Sequence, residues 1–262
     1  MVLAKMAPPL ILLSNDDGYR SAGIAALRAA LARVGEVVLC APYLEQSAAS
    51  HALSLHRPLR LVQHEPQVFS LDGTPADCVY AALYSQGRIL PRLPQIVVSG
   101  LNRGLNLGCD VIYSGTVAAA REGALRNRPA VAFSADEATD IDRAASLAAD
   151  LVRALIEEPA DTPILLNVNF PAQGSWELQT TRLGRRQYND EVDLRVDPRG
   201  GEYLWLGGPR GAKHHGDEDT DTGAFDRGRV SVTPLSLDLG SPADLGRTRA
   251  LLASVQVESC SE

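Results

Sequence analysis

Three observations predict an α/β fold with a mostly parallel sheet and helices on both faces. Short, wholly apolar runs recur through the first two thirds of the chain. Stretches with apolar residues at steps of three and four separate them. Several of the runs end abruptly in glycine and short polar residues. Strands covered on both faces lose the polar–apolar alternation of half-exposed ones, and strand–helix alternation is the pattern of parallel crossover units. The 262 residues are read as one domain: a core over about 8–182, a polar arm over about 184–228, and a closing strand and helix over about 229–257.

Leu10-Ile11-Leu12-Leu13 reads as a buried strand that stops at Ser14-Asn15-Asp16-Asp17-Gly18. Ile24, Leu27, Leu31 and Val34 mark one face of a helix, and Val37 to Cys40 is a second strand. Residues 52 to 72 read as extended, with Leu53, Leu55, Leu59 and Leu61 alternating and Val68–Leu71 as a pairing strand. Pro75 stands at the start of a helix reaching about Tyr84. Ile96-Val97-Val98 is a strand, and a glycine-rich loop from Gly100 to Gly115 follows it. Thr116 to Leu125 is helical, capped by Ser114 or Thr116. Val131–Phe133 is a strand, Ile141 to Leu155 an amphipathic helix, and Ile164–Val168 another strand. Residues 184 to 228 are rich in Arg, Asp and Gly and cannot bury a core of their own. They are either an arm that packs on another subunit or a surface insertion. Val230–Leu235 is a strand and Leu245–Val255 a closing helix.

The net charge of −7 disfavours nonspecific binding to nucleic acid or anionic membrane. An anionic substrate would have to be attracted locally, by a cation, by backbone N–H groups or by a few arginines. No apolar stretch is long enough to span a bilayer, and residues 1–9 lack an apolar signal core, so a cytoplasmic location is expected. The four cysteines show no metal-ligand spacing. Cys40 and Cys78 read as core residues.

Ligands of open α/β sheets bind at the carboxyl ends of the strands. The Asp16-Asp17 pair lies at such an end. Adjacent carboxylates repel unless a cation joins them, and hard divalent cations prefer oxygen ligands. The alternative is ordinary turn chemistry, with Asn15 or Asp16 capping the next helix. Ser99–Gly104 forms a second polar strand end, where Asn102 offers a neutral oxygen or where the glycines merely turn the chain. Tyr113-Ser114-Gly115-Thr116 opens a helix whose free N–H groups suit phosphate, or is a plain cap. Ser47 offers a hydroxyl, and His51 is a candidate general acid or orienting group, or a structural histidine. Asp217–Asp221 departs from the EF-hand pattern and reads as a solvated acidic loop. The G-x-G-x-x-G, P-loop and G-x-S-x-G patterns are absent.

Seven segments together resemble the SurE (survival protein E) family of 5'/3'-nucleotidases. They are I-L-L-S-N-D-D-G (11–18), D-G-T-P-A-D-C-V (72–79), V-V-S-G-L-N-R-G-L-N-L-G (97–108), Y-S-G-T-V-A-A-A-R-E-G-A (113–124), N-V-N-F-P (167–171), R-R-Q-Y-N-D (185–190) and V-S-V-T-P-L (230–235). They occur in family order over nearly the whole chain. The resemblance implies a Rossmann-like α/β domain, an arm exchanged between subunits, and a homodimer or homotetramer. It implies metal-dependent hydrolysis of nucleoside 5'- and 3'-monophosphates, with short polyphosphate as an alternative substrate. It maps the metal ligands onto Asp16, Asp17, Ser47 and Asn102, and the phosphate-facing surface onto Asn15, Ser114, Gly115 and Thr116. Asp16 and Asp17 are then also the candidate catalytic carboxylates. One divalent cation per subunit is expected, Mg²⁺ or Mn²⁺, with Ca²⁺ able to occupy the site. The rival from another class is a nucleotide-binding regulatory protein using the same strand ends without catalysis.

Overall fold

The computed structural model describes residues 7–158, 162–188, 192–206 and 213–255. The first strand, β1 (Leu10–Ser14), is buried along its whole length. It leads into α1 (Ala22–Leu31), which Ser21 caps by accepting from the Ile24 N–H. Next come β2 (Glu36–Pro42), then β3 (Leu61–Glu65) and β4 (Val68–Leu71). Helix α2 (Pro75–Tyr84) opens on a capping box between Thr74 and Asp77. Then follow β5 (Ile96–Arg103), a 3₁₀ turn at Gly108–Ile112, α3 (Gly115–Leu125), β6 (Ala130–Ala135), α4 (Ile141–Glu157) and β7 (Leu165–Phe170). Short strands β8 (Leu178–Thr180), β9 (Arg185–Gln187), β10 (Val192–Val196), β11 (Glu202–Leu206) and β12 (Lys213–His215) precede α5 (Asp221–Asp226). The chain closes with β13 (Val230–Pro234) and α6 (Leu245–Leu252).

Nine strands form one sheet in the order β3-β4-β2-β1-β5-β6-β7-β13-β8. Only β3–β4 and β7–β13 pair antiparallel. Helices α1 and α4 cover one face with Ile24, Leu27, Leu31, Ala148 and Val152. Helices α2 and α3 cover the other with Val79, Ala82, Val117 and Ala120. Cys40 and Cys78 are buried in that second layer. The chain leaves β1 toward β2 on one side and later returns to pair β5 on the other. This reversal of strand order opens a crevice at the carboxyl ends of β1 and β5.

Three local expectations change. Strand β5 does not stop at Val98: it runs on through Asn102 and Arg103, which pair with Ser134 and Ala135 after a register shift at Ser99/Asn102. Gly100 makes the irregularity possible, with φ of +132° and a position where a Cβ would lie 2.4 Å from the Phe133 carbonyl oxygen. Residues 53 to 60 are not a strand. Leu53 and Leu55 alternate without a face to bury and stay exposed. The acidic loop is solvated only over Asp217–Asp219. Asp221 is fully buried, and its carboxylate accepts from the backbone N–H groups of Gly108 (2.8 Å), Gly184 (2.7 Å) and Thr222 (2.7 Å). Helix α5 therefore packs with the core, against β13, and the wholly exposed strands of the arm are those of the β10–β11 hairpin. Residues 159–161, 189–191, 207–212, 256 and 257 of the expected domain parts lie outside the described residues, as do residues 1–6 and Cys260.

Candidate functional site

The end of β1 delivers Asp16 and Asp17 because the strand is buried on both faces and its next residues turn sharply. Asn15 makes that turn: fully buried, it donates its amide N–H groups to the Gly18 carbonyl (3.0 Å) and the Ser21 hydroxyl (2.9 Å). It thereby ties the Asp-Asp-Gly turn to the cap of α1. Its Oδ1 is buried without a hydrogen-bond partner.

Asp16 is buried against the start of α3. The Thr116 hydroxyl donates to Asp16 Oδ1, and the Thr116 backbone N–H supports the same carboxylate. Gly115 permits this approach, because a Cβ there would lie 2.9 Å from the Asp16 Cβ and 3.0 Å from the Pro75 Cγ. Helix α3 is capped by Ser114, whose hydroxyl accepts from the Val117 N–H at 3.0 Å. Thr116, the other candidate cap, is buried and committed to Asp16. The positive end of the helix dipole thus faces Asp16. Burial nevertheless raises the Asp16 carboxyl above its ordinary value, against the hydrogen bonds that lower it.

Asp17 is half-buried and accepts from the Arg103 backbone N–H at 3.3 Å. Burial, followed by the charge of Asp16, pushes its carboxyl up to about 6. Ser47 lies on the exposed loop after β2, and its hydroxyl donates to Glu45 Oε1 at 2.6 Å. The same Glu45 charge acts on both aspartates. The Asn102 amide N–H donates to the Gly104 carbonyl at 2.8 Å, leaving Oδ1 as its free acceptor.

Two adjoining clefts share these groups. One, of about 630 Å³, is lined by Asp16, Ser47, Asn102, Ser114, Tyr113 and Tyr188, among others. The second, of about 710 Å³, is lined by Asp17, Glu45, Ser47, Asn102 and Arg103. Both volumes suit a small-molecule ligand. Four of the residues singled out in the sequence as metal ligands therefore border one crevice, and Ser114 joins them. Asn15, Gly115 and Thr116 lie behind the carboxylates and are in contact with protein. Glu45 and Arg103 were missed. Arg103 is legible in retrospect as the one cation at a polar strand end, whereas Glu45 gave no signal beyond its place beside Ser47.

Among the described residues no group of three or more His, Cys, Asp or Glu side chains could hold a metal ion. A cation here would depend on a mixed set of two carboxylates, a hydroxyl and an amide oxygen. The donor chemistry fits a hard cation: all four groups present oxygen, and the charge of Asp16 disfavours that of Asp17 beside it.

The model of the family described as Survival protein SurE matches residues 11–190. A protein of Sorangium cellulosum named 5'-nucleotidase SurE is 57% identical over 235 residues, covering 88% of this chain and 91% of the relative. One of Thermus thermophilus, named 5'-nucleotidase SurE 1, is 45% identical over 255 residues, covering 94% and 98%. The crystal structure of the SurE protein from Aquifex aeolicus superposes with a TM-score of 0.79 at 38% identity, covering 93% of this chain and all of that one. The family model's match over residues 11–190, the shared fold and these identities over most of the chain's length place it in the SurE family.

Proposed function

We propose that the crevice at β1 and β5 is the active centre of a 5'-nucleotidase that hydrolyses nucleoside monophosphates to nucleoside and phosphate. The observation that carries the site is the Asp16–Asp17 pair at the switch point of the sheet, with Ser47 and Asn102 bordering the same crevice. The activity itself is that of the SurE relatives, which are named 5'-nucleotidases at up to 57% identity.

In this reading Asp16, Asp17, Ser47 and Asn102 hold one divalent cation, Mg²⁺ or Mn²⁺. A cation so held neutralises phosphate charge and activates water near neutral pH. Thr116 fixes Asp16 as the immobile member of the pair. Asp17 has an oxygen beyond the one bonded to the Arg103 N–H, and in this reading that oxygen takes the proton from the attacking water. Arg103 and Ser114, which line the 630 Å³ cleft, face the developing negative charge on the phosphoryl oxygens. Tyr113 and Tyr188 on the wall of the 630 Å³ cleft offer flat surfaces for the base.

The test is phosphate release from 5'-AMP, 5'-GMP, 3'-AMP and tripolyphosphate, in chelator and after adding back Mg²⁺, Mn²⁺ or Ca²⁺. Release from the monophosphates is expected, with loss in chelator. Asp16→Asn should lower kcat/KM by roughly 10³-fold, ~4 kcal/mol of transition-state stabilisation, with the fold intact by circular dichroism. Full turnover by that variant would refute the role of Asp16. Release from tripolyphosphate alone would make the protein a polyphosphatase. Nucleotide binding without release would make it a regulatory binding protein.

A further inference from the structure

The buried carboxylate of Glu122 has no part in the reaction as drawn above. It lies on α3 with its side chain 1% exposed, and it bridges two side chains: the His51 imidazole, through Nε2 at 2.8 Å, and the Arg126 guanidinium, through Nε at 2.8 Å. Burial raises the Glu122 carboxyl, but its bonds to His51 and Arg126 more than offset this and leave it below its ordinary value. Arg126 in turn lies over the rings of Tyr80 and Tyr84 on α2. Glu122 is therefore held from one side by the helical layer and presents its other oxygen to His51.

His51 ends the loop that carries Ser47. That loop has little internal support. Its one turn bond joins the Ala49 N–H to the Gln46 carbonyl at 3.3 Å. Ala48 and Ser50 both adopt left-handed backbone, with φ of 56° and 52°, a conformation disfavoured for residues with a Cβ. What holds the loop is its attachment to other elements. At its start, the Gln46 N–H donates to the Asp16 carbonyl at 2.8 Å. At its end, the Ser50 N–H donates to the Tyr113 carbonyl at 3.0 Å, and the Ser50 hydroxyl to the Ile112 carbonyl at 2.8 Å. The next attachment is His51 to the buried carboxylate of Glu122. Helix α3 thus grips both halves of the candidate ligand set: Asp16 through Thr116 at its first turn, and the Ser47 loop through Glu122 two turns on.

We propose that Glu122 and His51 are positioning residues that hold the Ser47 hydroxyl in the cation site, so that their contact sets cation affinity without touching cation or substrate. The inference rests on the assignment of Ser47 as a ligand. Groups that orient metal ligands change affinity by about 10–100-fold when removed, and a pair acting only through Ser47 must lose its effect when Ser47 is gone.

The experiment measures Mn²⁺ binding to chelator-treated full-length protein by titration calorimetry. It compares wild type, His51→Ala, Glu122→Gln, Ser47→Ala and the double variant His51→Ala/Ser47→Ala, with thermal melting of each metal-free protein alongside. Expected are a 10–100-fold weakening for His51→Ala and for Glu122→Gln, a comparable weakening for Ser47→Ala, and no further loss in the double variant. His51 is partly exposed, so His51→Ala carries the test should Glu122→Gln fail to fold. Unchanged affinity in His51→Ala beside a weakened Ser47→Ala overturns the inference alone. So does an equal loss from His51→Ala in both backgrounds, which would mark a general structural role. Unchanged affinity in Ser47→Ala overturns the ligand assignment beneath it.

Discussion

Asp17 carries the clearest pH signature of any single residue in the crevice. Its carboxyl ordinarily titrates near 3.8 and is pushed up to about 6 by burial and by the charge of Asp16. A carboxyl raised on folding binds more protons in the folded state than in the unfolded one, so stability falls as pH rises between these two values. The penalty is complete above pH 6 and vanishes toward pH 4. In chelator, Asp17→Asn should therefore melt above wild type at pH 7.5, by on the order of 3 °C for each kcal/mol relieved. The two should converge near pH 4. Equal melting temperatures across that range would show that folding does not raise the Asp17 carboxyl. The same repulsion supplies a driving force for cation binding at neutral pH, because a divalent ion converts two mutually opposed charges into ligands.

At the scale of elements, the start of α3 is where fold and chemistry meet. Its first turn abuts Asp16 because residue 115 has no side chain. Ala at that position would place a Cβ 2.9 Å from the Asp16 Cβ and 3.1 Å from its Oδ2. Neither neighbour is the end of a flexible chain: Asp16 is bonded to Thr116 and Pro75 opens α2. Gly115→Ala should cost about 1–3 kcal/mol by overpacking, measured by denaturant melting. It should also lower phosphate release by more than the variant's unfolded fraction explains, because the shift moves Asp16 itself. Unchanged stability and turnover would mean that α3 and β1 separate freely, and that the helix does not set the position of the carboxylate.

Across the whole molecule, the β10–β11 hairpin stands out by what it leaves uncovered. Every residue of both strands is exposed. Val192 pairs with Leu206 and Leu194 with Leu204, so apolar side chains stand side by side. Trp205 and Tyr203 lie on the opposite face. Isolated two-stranded hairpins are marginal in water, and contiguous exposed apolar area marks a contact surface. We propose that the hairpin is the arm through which subunits associate. Leu194→Asp with Leu204→Asp should then reduce the assembly to protomers by sedimentation equilibrium. The protomer's melting temperature should change little, since neither side chain packs on its own core. Persistence of the parent assembly would remove the hairpin from the interface. Among the described residues no helix is long and apolar enough to cross a membrane.

Much of this architecture was legible from local chemistry. The run Leu10–Leu13 can only be stable where both faces are covered, and it forms a central strand. The Thr74-Pro75 start of α2 and the amphipathic stripe of α4 are likewise signals carried within a few residues. Tertiary context overrode local pattern elsewhere. Leu53 and Leu55 alternate like a strand but find no partner. Ser99 to Arg103 reads as a loop yet continues β5, because the neighbouring strand β6 supplies hydrogen bonds past the irregularity at Gly100. Asp221 belongs to an acidic run, and its burial depends on three backbone donors, two of them from the distant Gly108 and Gly184. Glu122 on α3 drew no expectation of its own from the sequence, and its buried carboxylate is met by Arg126 one turn on and by His51, 71 positions away.

The sequence by itself determined the class of the sheet, the placing of Asp16 and Asp17 at a strand end, and the family to which the motifs belong. These are consequences of periodicity, turn chemistry and motif order, all readable along the chain. Only the tertiary structure decided that Thr116 serves Asp16, that Glu45 and Arg103 border the same crevice, and that Glu122 anchors the loop of Ser47. Those facts depend on which distant groups share a low-dielectric space, where burial and neighbouring charge govern each group's chemistry.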